Sequence, residues 1–285
     1  MSITLRQAQP EDAADCGRIC YEAFKSIAAQ HNFPPDFPSP EIAADLLTRM
    51  LATPKIYAVV AEQDGRIVGS NFVDERTAIA GIGPITVDPA AQNAAVGRRL
   101  MEHILERAEH LRFPGVRLVQ AAYHNRSLCL YTKLGFETRE PLSTLQGPPL
   151  AMQIPGFALR AAAETDLAAC NDLCFRVHGH HRGGELYDAI TQGSATVVER
   201  GGRLTGYATA VAFFGHAVGE TNDDIKALIA AAPAILGPGF IIPTRNSELM
   251  RWCLGNGLRL VHQLTLMTVG LYNEPRGAYL PSIVF

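Results

Sequence analysis

The order of hydrophobic and polar positions along the chain predicts strands and helices in alternation. Apolar runs at residues 57–62 and 66–72 flank a Gln-Asp-Gly turn, which is typical of a β-hairpin. Apolar side chains recur at helical spacing over 96–111, which predicts an amphipathic helix. The apolar run at 116–122 predicts a buried strand after that helix. The pattern therefore predicts an α/β fold, of the α+β type with a mixed sheet.

The same series of elements occurs twice in the chain. Residues 5–21 align with residues 159–175 at a constant offset of 154, with 7 identities in 17 columns. The hairpin at 59–69 returns at 196–206, and both copies carry V-x-E-x-x-G-R-[IL]-x-G. Self-similarity of this kind indicates a duplicated structural unit. The sequence therefore predicts two related halves, each with the order strand, helix, hairpin.

The length of 285 residues fits two domains, at roughly 100–200 residues each. We place the first domain at residues 1–147 and the second at residues 156–285. The boundary falls in the Gly- and Pro-rich segment 146–156. In the first half, the segment 31–40 holds four prolines, which predicts a stiff loop that is either a connector or a ligand-binding segment.

Composition and charge exclude some classes of protein. Hydrophobic residues form 47% of the chain and charged residues 19%, which excludes a disordered protein. The 25 Lys and Arg against 28 Asp and Glu give a net charge of −3, which excludes a broadly basic nucleic-acid-binding surface. The longest uncharged run, 227–244, is broken by Pro and Gly, so we expect no membrane span. Because the N-terminus lacks the pattern of a signal peptide, we expect a cytoplasmic protein with six reduced cysteines.

The candidate chemistry lies in the first half, where a strand at 78–87 leads into a tight loop and the helix at 96–111. The strand carries a Gly-Pro interruption that predicts a β-bulge. Small residues in the loop let backbone N–H groups approach a ligand closely, and N–H groups at a helix start favour phosphate. We therefore predict a pyrophosphate site. Its candidate residues are Gln92, Asn93, Ala94, Ala95, Val96, Gly97, Arg98 and Arg99.

A second motif follows the buried strand. It begins at Asn125, and Leu128 and Tyr131 fall on one face of a predicted short helix. Gly135 and Phe136 end the motif, and a glycine directly after a helix is typical of a C-terminal cap. The motif thus places a polar side chain at the helix start and an aromatic hydroxyl near its end.

Together these motifs resemble those of the GCN5-related N-acetyltransferases, the GNAT family. The family's [RQ]-x-x-G-x-[GA] motif after a V-x-P strand end corresponds to residues 87–97, with Ala95 where the family usually has Gly. The later N…Y…G-F motif corresponds to residues 125–136. The resemblance implies two tandem GNAT-like acyl-CoA N-acyltransferase domains. It also implies direct transfer of the acetyl group of acetyl-CoA to a primary amine, with acetyl-CoA as co-substrate.

The resemblance further assigns roles to individual residues. It implies that backbone groups of the bulged strand polarise the thioester and hold the extended pantetheine arm. It also implies that Tyr131 is the general acid that protonates the leaving thiolate. Besides the pyrophosphate residues, the implied acetyl-CoA contacts are Ile85, Thr86, Val87, Asn125 and Leu128.

Three side chains are candidates for the general base. Asp74 and Glu75 end the strand beside the one expected to bind acetyl-CoA, and adjacent strand residues face opposite sides. His124 precedes the second motif. We favour Glu75 as the catalytic base, and a water relay without a single base is the alternative.

The second half carries acids where the first half carries arginines. Glu220, Asp223 and Asp224 lie at the start of the corresponding helix, where they suit the helix dipole but would repel phosphate. Trp252 stands in place of the motif tyrosine. We therefore predict that the second half is a GNAT-like domain that has lost its cofactor site.

Two other functions stay open at this point. An acyl-CoA-binding sensor or regulatory protein with little turnover would carry the same cofactor motifs. A metal-binding second half would explain a cysteine and histidine series at four-residue steps, although the matching cysteines of the first half have no histidines after them. We favour no metal. The residues of that series are Cys170, Cys174, His178, His180 and His181.

The sequence predicts a class of acceptor rather than a single compound. We expect a primary amine on a small molecule or a peptide, and no nucleic-acid or membrane partner. Acids at Asp36, Asp74 and Glu75 would favour a cationic acceptor if they line the cleft. A homodimer is left open.

Overall fold

The computed structural model describes residues 3–92 and 94–284. Contacts between backbone positions group the chain into two compact units. Both units combine helices with β-sheet, so the mixed α/β class predicted from the sequence is confirmed. Unit one comprises the residues up to Leu118, Tyr123–Phe136 and Val284, and unit two comprises Val119–Ala122 and Glu137–Ile283.

Unit one is built around a mixed sheet. Its strands pair antiparallel from β1 to β4, and β5 pairs parallel with β4. The last residues of β5 belong to unit two. The strands are β1 (Ile3–Gln7), β2 (Ile56–Gln63), β3 (Arg66–Asp74), β4 (Ala80–Val87) and β5 (Gly115–Ala121). The helices are α1 (Ala13–Gln30), α2 (Pro40–Ala52), α3 (Val96–His110) and α4 (Asn125–Lys133).

The amphipathic pattern of α3 is confirmed by its burial. Val96, Leu100 and Ile104 are each at most 2% exposed, and the helix packs against β2, β3 and β4. On α1, Cys16 and Cys20 are fully buried. Burying one apolar side chain stabilises the fold by about 1.5–3 kcal/mol, so this stripe holds α3 on the sheet.

The predicted bulge occurs between β3 and β4. The register of the two strands shifts between Asn71 and Val73, opposite the Gly83-Pro84 interruption of β4. The parallel pairing of β4 with β5 covers only Ala80–Ile82 against Val116–Leu118. Among the described residues, the later part of β4 therefore has strand partners on its β3 side alone.

Unit two contains two sets of strands. One sheet has the order β13-β10-β9-β8-β7, and in the other β6 lies between β12 and β11. The strands are β6 (Glu137–Gln146), β7 (Phe157–Ala161), β8 (Thr196–Arg200), β9 (Arg203–Ala208), β10 (Ala217–Gly219), β11 (Phe240–Pro243), β12 (Arg259–Gly270) and β13 (Ala278–Leu280). The helices are α5 (Leu167–His178), α6 (Gly183–Thr191), α7 (Asn222–Ala231) and α8 (Ser247–Gly255).

Strand β6 belongs to unit two in the structure, but to the first of the two domains predicted from the sequence. The sequence division places it in the first domain, 1–147. In the structure it pairs antiparallel with β12 on one side and with β11 on the other, and all three belong to unit two. A hydrophobic pattern predicts that a strand exists, but not which strand will pair with it. The domain boundaries read from the repeat stay a prediction about the duplication.

In each unit, residues of the two repeated segments form a cluster of charged side chains. In unit one, Arg6 donates to Asp12 at 2.6 and 2.9 Å and to Glu62 at 2.9 Å. Unit two has the same arrangement on residues Arg160, Asp166 and Glu199, with distances of 2.6, 2.8 and 2.9 Å. Each arginine ties the first strand to the following turn and to the hairpin. The same ion pairs therefore account for the identities Arg6/Arg160 and Asp12/Asp166 at the offset of 154 and Glu62/Glu199 at the offset of 137.

Within the described part of the chain, no helix is both long enough and apolar enough to cross a membrane.

Candidate functional site

The last residues of β4 have a backbone edge with no strand partner among the described residues. Ile85, Thr86 and Val87 follow the point where β4 and β5 stop pairing. Thr86 is 4% exposed, and its hydroxyl lies 3.4 Å from that of Ser70. An extended ligand can pair with such an edge through main-chain hydrogen bonds. The structure thus places these three predicted residues where an extended arm could lie.

The loop after β4 ends in an unusual backbone conformation. Ala95 is the residue before α3 and has φ +58° and ψ +11°, in the left-handed region. The first helical hydrogen bond runs from the Arg99 N–H to the Ala95 carbonyl at 3.1 Å. The N–H groups of Val96, Gly97 and Arg98 precede that bond and point out of the helix start. These donors and the absence of an acid in the first turn of α3 fit a phosphate ligand.

The left-handed conformation of Ala95 was not predicted from the sequence. A left-handed conformation costs an L-residue roughly 1–2 kcal/mol, because the Cβ approaches the following carbonyl. Glycine has no such penalty, which is the physical reason for the family's preference at this position.

We expect Ala95→Gly to raise the thermal unfolding midpoint, by a stabilisation of about 0.5–1 kcal/mol after the added flexibility of the unfolded chain is subtracted. Ala91, in the same loop, does not have positive φ, so Ala91→Gly is the matched control and should lower the midpoint. Differential scanning calorimetry of both variants measures the two shifts. A lower midpoint for Ala95→Gly would contradict the strain argument.

The charged residues of the loop have different surroundings. Arg98 pairs with Glu102 at 3.1 Å, and Arg99 donates to the Ile3 carbonyl at 2.7 Å. Gln92 accepts a hydrogen bond from Arg126 at 2.9 Å. Ala94 is exposed beside Ala95. Asn93, also a predicted contact, lies outside the described residues.

Arg126 is a further candidate site residue that was not predicted from the sequence. It is the second residue of α4 and reaches the predicted pyrophosphate loop through Gln92. The sequence contained a signal, because the arginine directly follows the motif Asn125, but one exposed arginine on a helix is ordinary. The contact brings one more cation to the predicted pyrophosphate loop.

Helix α4 carries the predicted acid in a buried position. Tyr131 is 6% exposed, and its ring centroid lies 6.0 Å from that of Phe136. Burial raises the pKa of Tyr131 to about 12, and a hydrogen bond with the Ser127 side chain opposes part of that rise. Ser127 in turn contacts Nδ1 of His124. The phenol is therefore protonated at neutral pH, as a proton donor must be.

The other two predicted residues of α4 have simpler surroundings. Asn125 is exposed, and its backbone N–H donates to the Tyr123 carbonyl at 3.0 Å. Leu128 is half-buried one turn before Tyr131. The helix ends at Lys133, and Gly135, two residues later, has a φ of +90°, which confirms the predicted C-terminal cap.

The predicted base does not join this group of residues. Arg107 of α3 binds Glu75 with Nε–Oε1 at 2.5 Å and Nη2–Oε2 at 3.0 Å. Asp74, one residue earlier, is bound by Arg76. β4 has 8 residues, so at about 3.3 Å each its two ends lie roughly 23 Å apart. Asp74 pairs with Gly81 at the start of β4, whereas the pyrophosphate loop follows its end.

The corresponding helix start in unit two is closed by its own side chains. Asp224 accepts hydrogen bonds from the backbone N–H and the hydroxyl of Thr221, at 2.8 and 2.7 Å, and is fully buried. Glu220 is held by Arg203, and this contact lowers the pKa of Glu220. The Thr221 N–H at this helix start is thus already bound by a carboxylate, whose charge disfavours a phosphate ligand.

The cysteine and histidine series of unit two is divided between α5 and the segment that follows it. Cys170 and Cys174 are fully buried on α5, where they pack with apolar neighbours such as Leu173. His181 lies in contact with the Asn171 carbonyl at 3.2 Å. Among the described residues, no group of three or more His, Cys, Asp or Glu side chains is arranged to hold a metal ion. The spacing of Cys170 and Cys174 fits the packing of α5 in the core of unit two.

Comparison with known proteins agrees with these observations. Residues 54–138 match the family model described as the acetyltransferase (GNAT) domain. An IAA acetyltransferase of Azospirillum brasilense is 30% identical over 104 residues, which are 36% of this chain and 68% of that protein.

Solved structures match nearly the whole chain. A protein of Pyrococcus horikoshii superposes with a TM-score of 0.78 at 17% identity, over 99% of this chain and 94% of its own. A tandem GNAT protein from the clavulanic acid biosynthesis pathway gives 0.57 at 13% identity, over 94% and 98%. At these identities the likeness shows the fold, and the fold is that of tandem GNAT proteins. Since the Azospirillum relative and the family model agree as well, the chain belongs to the GNAT family of acetyltransferases and is an acyltransferase.

Proposed function

We propose that this chain transfers the acetyl group of acetyl-CoA to a primary amine of a small molecule or peptide, by direct attack, at a site in its first half. The observation that carries the proposal is the double role of α4. Arg126 at its start bonds to Gln92 of the phosphate loop, and Tyr131 near its end is a buried, protonated phenol. One rigid helix thereby links a site for the cofactor's phosphates to a proton donor for its sulfur.

Acetyl-CoA fits the donors of this half. Backbone N–H groups at the start of α3 and the nearby arginines suit its pyrophosphate, and the free edge of β4 from Ile85 to Val87 suits the amides of its pantetheine arm. Bound there, acetyl-CoA supplies an activated acyl group. A backbone N–H of the bulged strand can polarise the carbonyl, and the Tyr131 hydroxyl can protonate the departing sulfur.

No single residue is well supported as the base that removes the amine proton. Glu75 stays our predicted base, but a base role would require its release from Arg107. Asp74 is held in the same way by Arg76. The contacts therefore favour solvent water as the first acceptor of the ammonium proton, as in the alternative considered from the sequence.

A cationic amine is the acceptor class that the charges favour. Asp74 and Glu75 each have an arginine partner, whereas the described residues provide no ion pair for Asp36. Burial raises the pKa of Asp36 to about 6. This carboxyl lies in the proline-rich loop that also carries Phe33, whose ring stacks on Tyr123 at 4.4 Å. A carboxylate beside aromatic rings is a suitable site for an ammonium group.

We also propose that the second half does not bind acetyl-CoA. Its helix start is capped by Asp224, and Glu220 beside it is surrounded by arginines that already neutralise it. Binding a phosphate would require displacing a buried carboxylate. The second half would then act without a bound cofactor.

Release of free thiol from acetyl-CoA, followed over a panel of amines, tests the main proposal. The panel contains small diamines, amino acids, a peptide with a free N-terminus and a lysine peptide. Thiol release together with a product 42 Da heavier than one amine is the expected result. Tight CoA binding without release for any acceptor would favour the sensor alternative. Failure to bind CoA would overturn both.

We expect Arg126→Ala to raise the KM for acetyl-CoA by roughly 5- to 10-fold with kcat nearly unchanged, because it removes one cation and one hydrogen bond from the loop. Arg251 is exposed on α8 of unit two, and Arg251→Ala is the matched control with an unchanged KM. Steady-state kinetics at saturating amine measures both. Equal effects of the two substitutions would argue against the phosphate site in the first half.

A further inference from the structure

Asn71 of β3 carries an amide side chain that is fully buried at the bulge between β3 and β4. Its backbone pairs with Ile85, and the register of the two strands shifts directly afterwards, between Asn71 and Val73. Asn71 is therefore the last residue of β3 that is in register with residues 85–87, the part of β4 that has a free edge.

The amide of Asn71 also contacts helix α3. Its Nδ2 donates to the Leu100 carbonyl at 3.3 Å and lies 3.5 Å from the sulfur of Met101. Leu100 and Met101 are themselves fully buried, and Leu100 lies about one turn after Val96, the first residue of the helix. Because one turn of helix is rigid, this hydrogen bond fixes the position of the helix start relative to β3.

Gly69 allows the first turn of α3 to lie close to the same strand. It lies two residues before Asn71, on the same face of β3. A Cβ at this position would lie 3.1 Å from Leu100 Cδ1 and 3.3 Å from Val96 Cγ1. The start of α3 therefore packs directly on β3 at the level of the β4 edge, and Asn71 supplies a polar contact in this packing.

Packing alone does not explain an amide at this position. The Oδ1 atom of Asn71 is buried and has no hydrogen-bond partner among the described residues. A buried polar atom without a partner lowers stability, and an apolar side chain of the same shape would avoid this cost. A group of this kind in a folded protein calls for a functional explanation.

The second half has no amide at the corresponding position. The hairpin repeat at the offset of 137 aligns Asn71 with Ala208 and Gly69 with Gly206. The strand register agrees, because both Asn71 and Ala208 lie two residues after that glycine and pair with the following strand, β4 or β10. The glycine is thus present in both halves, whereas the amide is present only in the half for which we propose a cofactor site.

We propose that Asn71 is a positioning residue that holds the start of α3 in register with the edge of β4, so that one acetyl-CoA molecule can bind to both. This proposal rests on the acetyltransferase function proposed above. The N–H groups at the start of α3 would bind the pyrophosphate, and residues 85–87 would hold the pantetheine arm. Asn71 is bonded to both elements, to β4 through its backbone and to α3 through its side chain.

A shift of α3 relative to β4 would affect only donors that bind to both elements. Binding energy from the phosphates of a donor positions its thioester at the reacting centre, and a misplacement of about 1 Å can lower the rate on the order of 100-fold. S-acetylpantetheine has the thioester and the pantetheine arm but no pyrophosphate. Its turnover should therefore not depend on the position of the helix start.

The test compares acetyl-CoA with S-acetylpantetheine as acetyl donors for wild type and Asn71→Leu. Thiol release is followed with the best amine of the panel. Leucine has the same number and branching of heavy atoms as asparagine, so the substitution removes the amide and fills the site. It should lower kcat/KM for acetyl-CoA by about 10-fold and leave kcat/KM for S-acetylpantetheine within about 2-fold of wild type. The thermal midpoint checks that the variant is folded.

Two further variants complete the comparison. Asn71→Ala introduces the residue type that the second half has at Ala208, and it should show the same selective loss with acetyl-CoA. Asn171→Leu is the matched control, because Asn171 lies on α5 of unit two and its buried Oδ1 also lacks a partner among the described residues. This control should leave both donors at wild-type values.

The outcomes separate this proposal from the proposed function. Equal losses with both donors would indicate a purely structural role and overturn the positioning role, and so would wild-type values with both donors.

If wild type binds CoA but acetylates no amine, the acetyltransferase proposal fails by itself. Titration calorimetry with CoA then decides the role of Asn71. An affinity of Asn71→Leu that is weaker by about 5-fold or more supports the role, and an unchanged affinity overturns it. A wild type that does not bind CoA overturns both proposals.

Discussion

Tyr131→Phe is expected to lower kcat for acetyl transfer by about 10²-fold or more, within the range typical of a lost general acid. The substitution removes one hydroxyl from a side chain that is 6% exposed, and it keeps the ring that packs near Phe136. The fold and the KM for acetyl-CoA should therefore change little. Steady-state thiol release gives kcat and KM, and the thermal midpoint checks that the variant is folded.

A matched control is available for this experiment. Tyr187 lies on α6 of unit two with 47% exposure, and Tyr187→Phe removes the same hydroxyl group far from α4 in sequence. Its kcat should equal that of wild type. A Tyr131→Phe variant with kcat within about 3-fold of wild type would exclude Tyr131 as the acid, and it would leave the sulfur to be protonated by water.

The second large effect concerns stability. Glu185→Gln is expected to lower the free energy of unfolding by about 3–5 kcal/mol, and the thermal midpoint by on the order of 10 °C. Glu185 is 8% exposed and accepts from Arg182 Nε at 2.6 Å, and Arg182 is 2% exposed. Removing the carboxylate charge weakens the compensation of a buried guanidinium, which is costly in a low-dielectric interior.

The same carboxylate also extends into a buried polar network. Glu185 lies 3.5 Å from Nδ1 of His216, whose Nε2 lies 3.1 Å from the Tyr207 hydroxyl. Breaking one member of such a network disturbs its neighbours as well. Glu199→Gln is the control, since Glu199 pairs with Arg160 at the surface and should contribute at most about 1 kcal/mol. Equal midpoint shifts for the two variants would contradict the argument from burial.

Much of the fold could be predicted because local patterns carry it. The periodicity of residues 96–111 predicted α3, and the interrupted strand predicted the bulge between β3 and β4. The duplicated segments predicted the order of elements in both halves. These features depend on which faces of a helix or strand are apolar, and this information lies within short stretches of sequence.

The candidate site could be predicted only in part. The motif positions of the phosphate loop and of Tyr131 were readable, since each depends on local backbone geometry. Glu75 was favoured as the base because of its position at a strand end, and the structure pairs it with Arg107, 32 residues away. Arg126 was not predicted because its candidate role depends on its contact with Gln92, 34 residues away, rather than on its residue type.

The sequence by itself determined the duplication, the identity of the two motifs and the charge difference between the halves. It also contained the identities Arg6/Arg160 and Asp12/Asp166, since a conserved ion pair leaves a trace in the alignment of the copies. Only the tertiary structure decided which strands flank β6 and which arginines neutralise which acids. It also decided that Ala95 is left-handed. The physical reason is that strand pairing and ion pairing join residues far apart in the chain, and local pattern cannot rank distant partners.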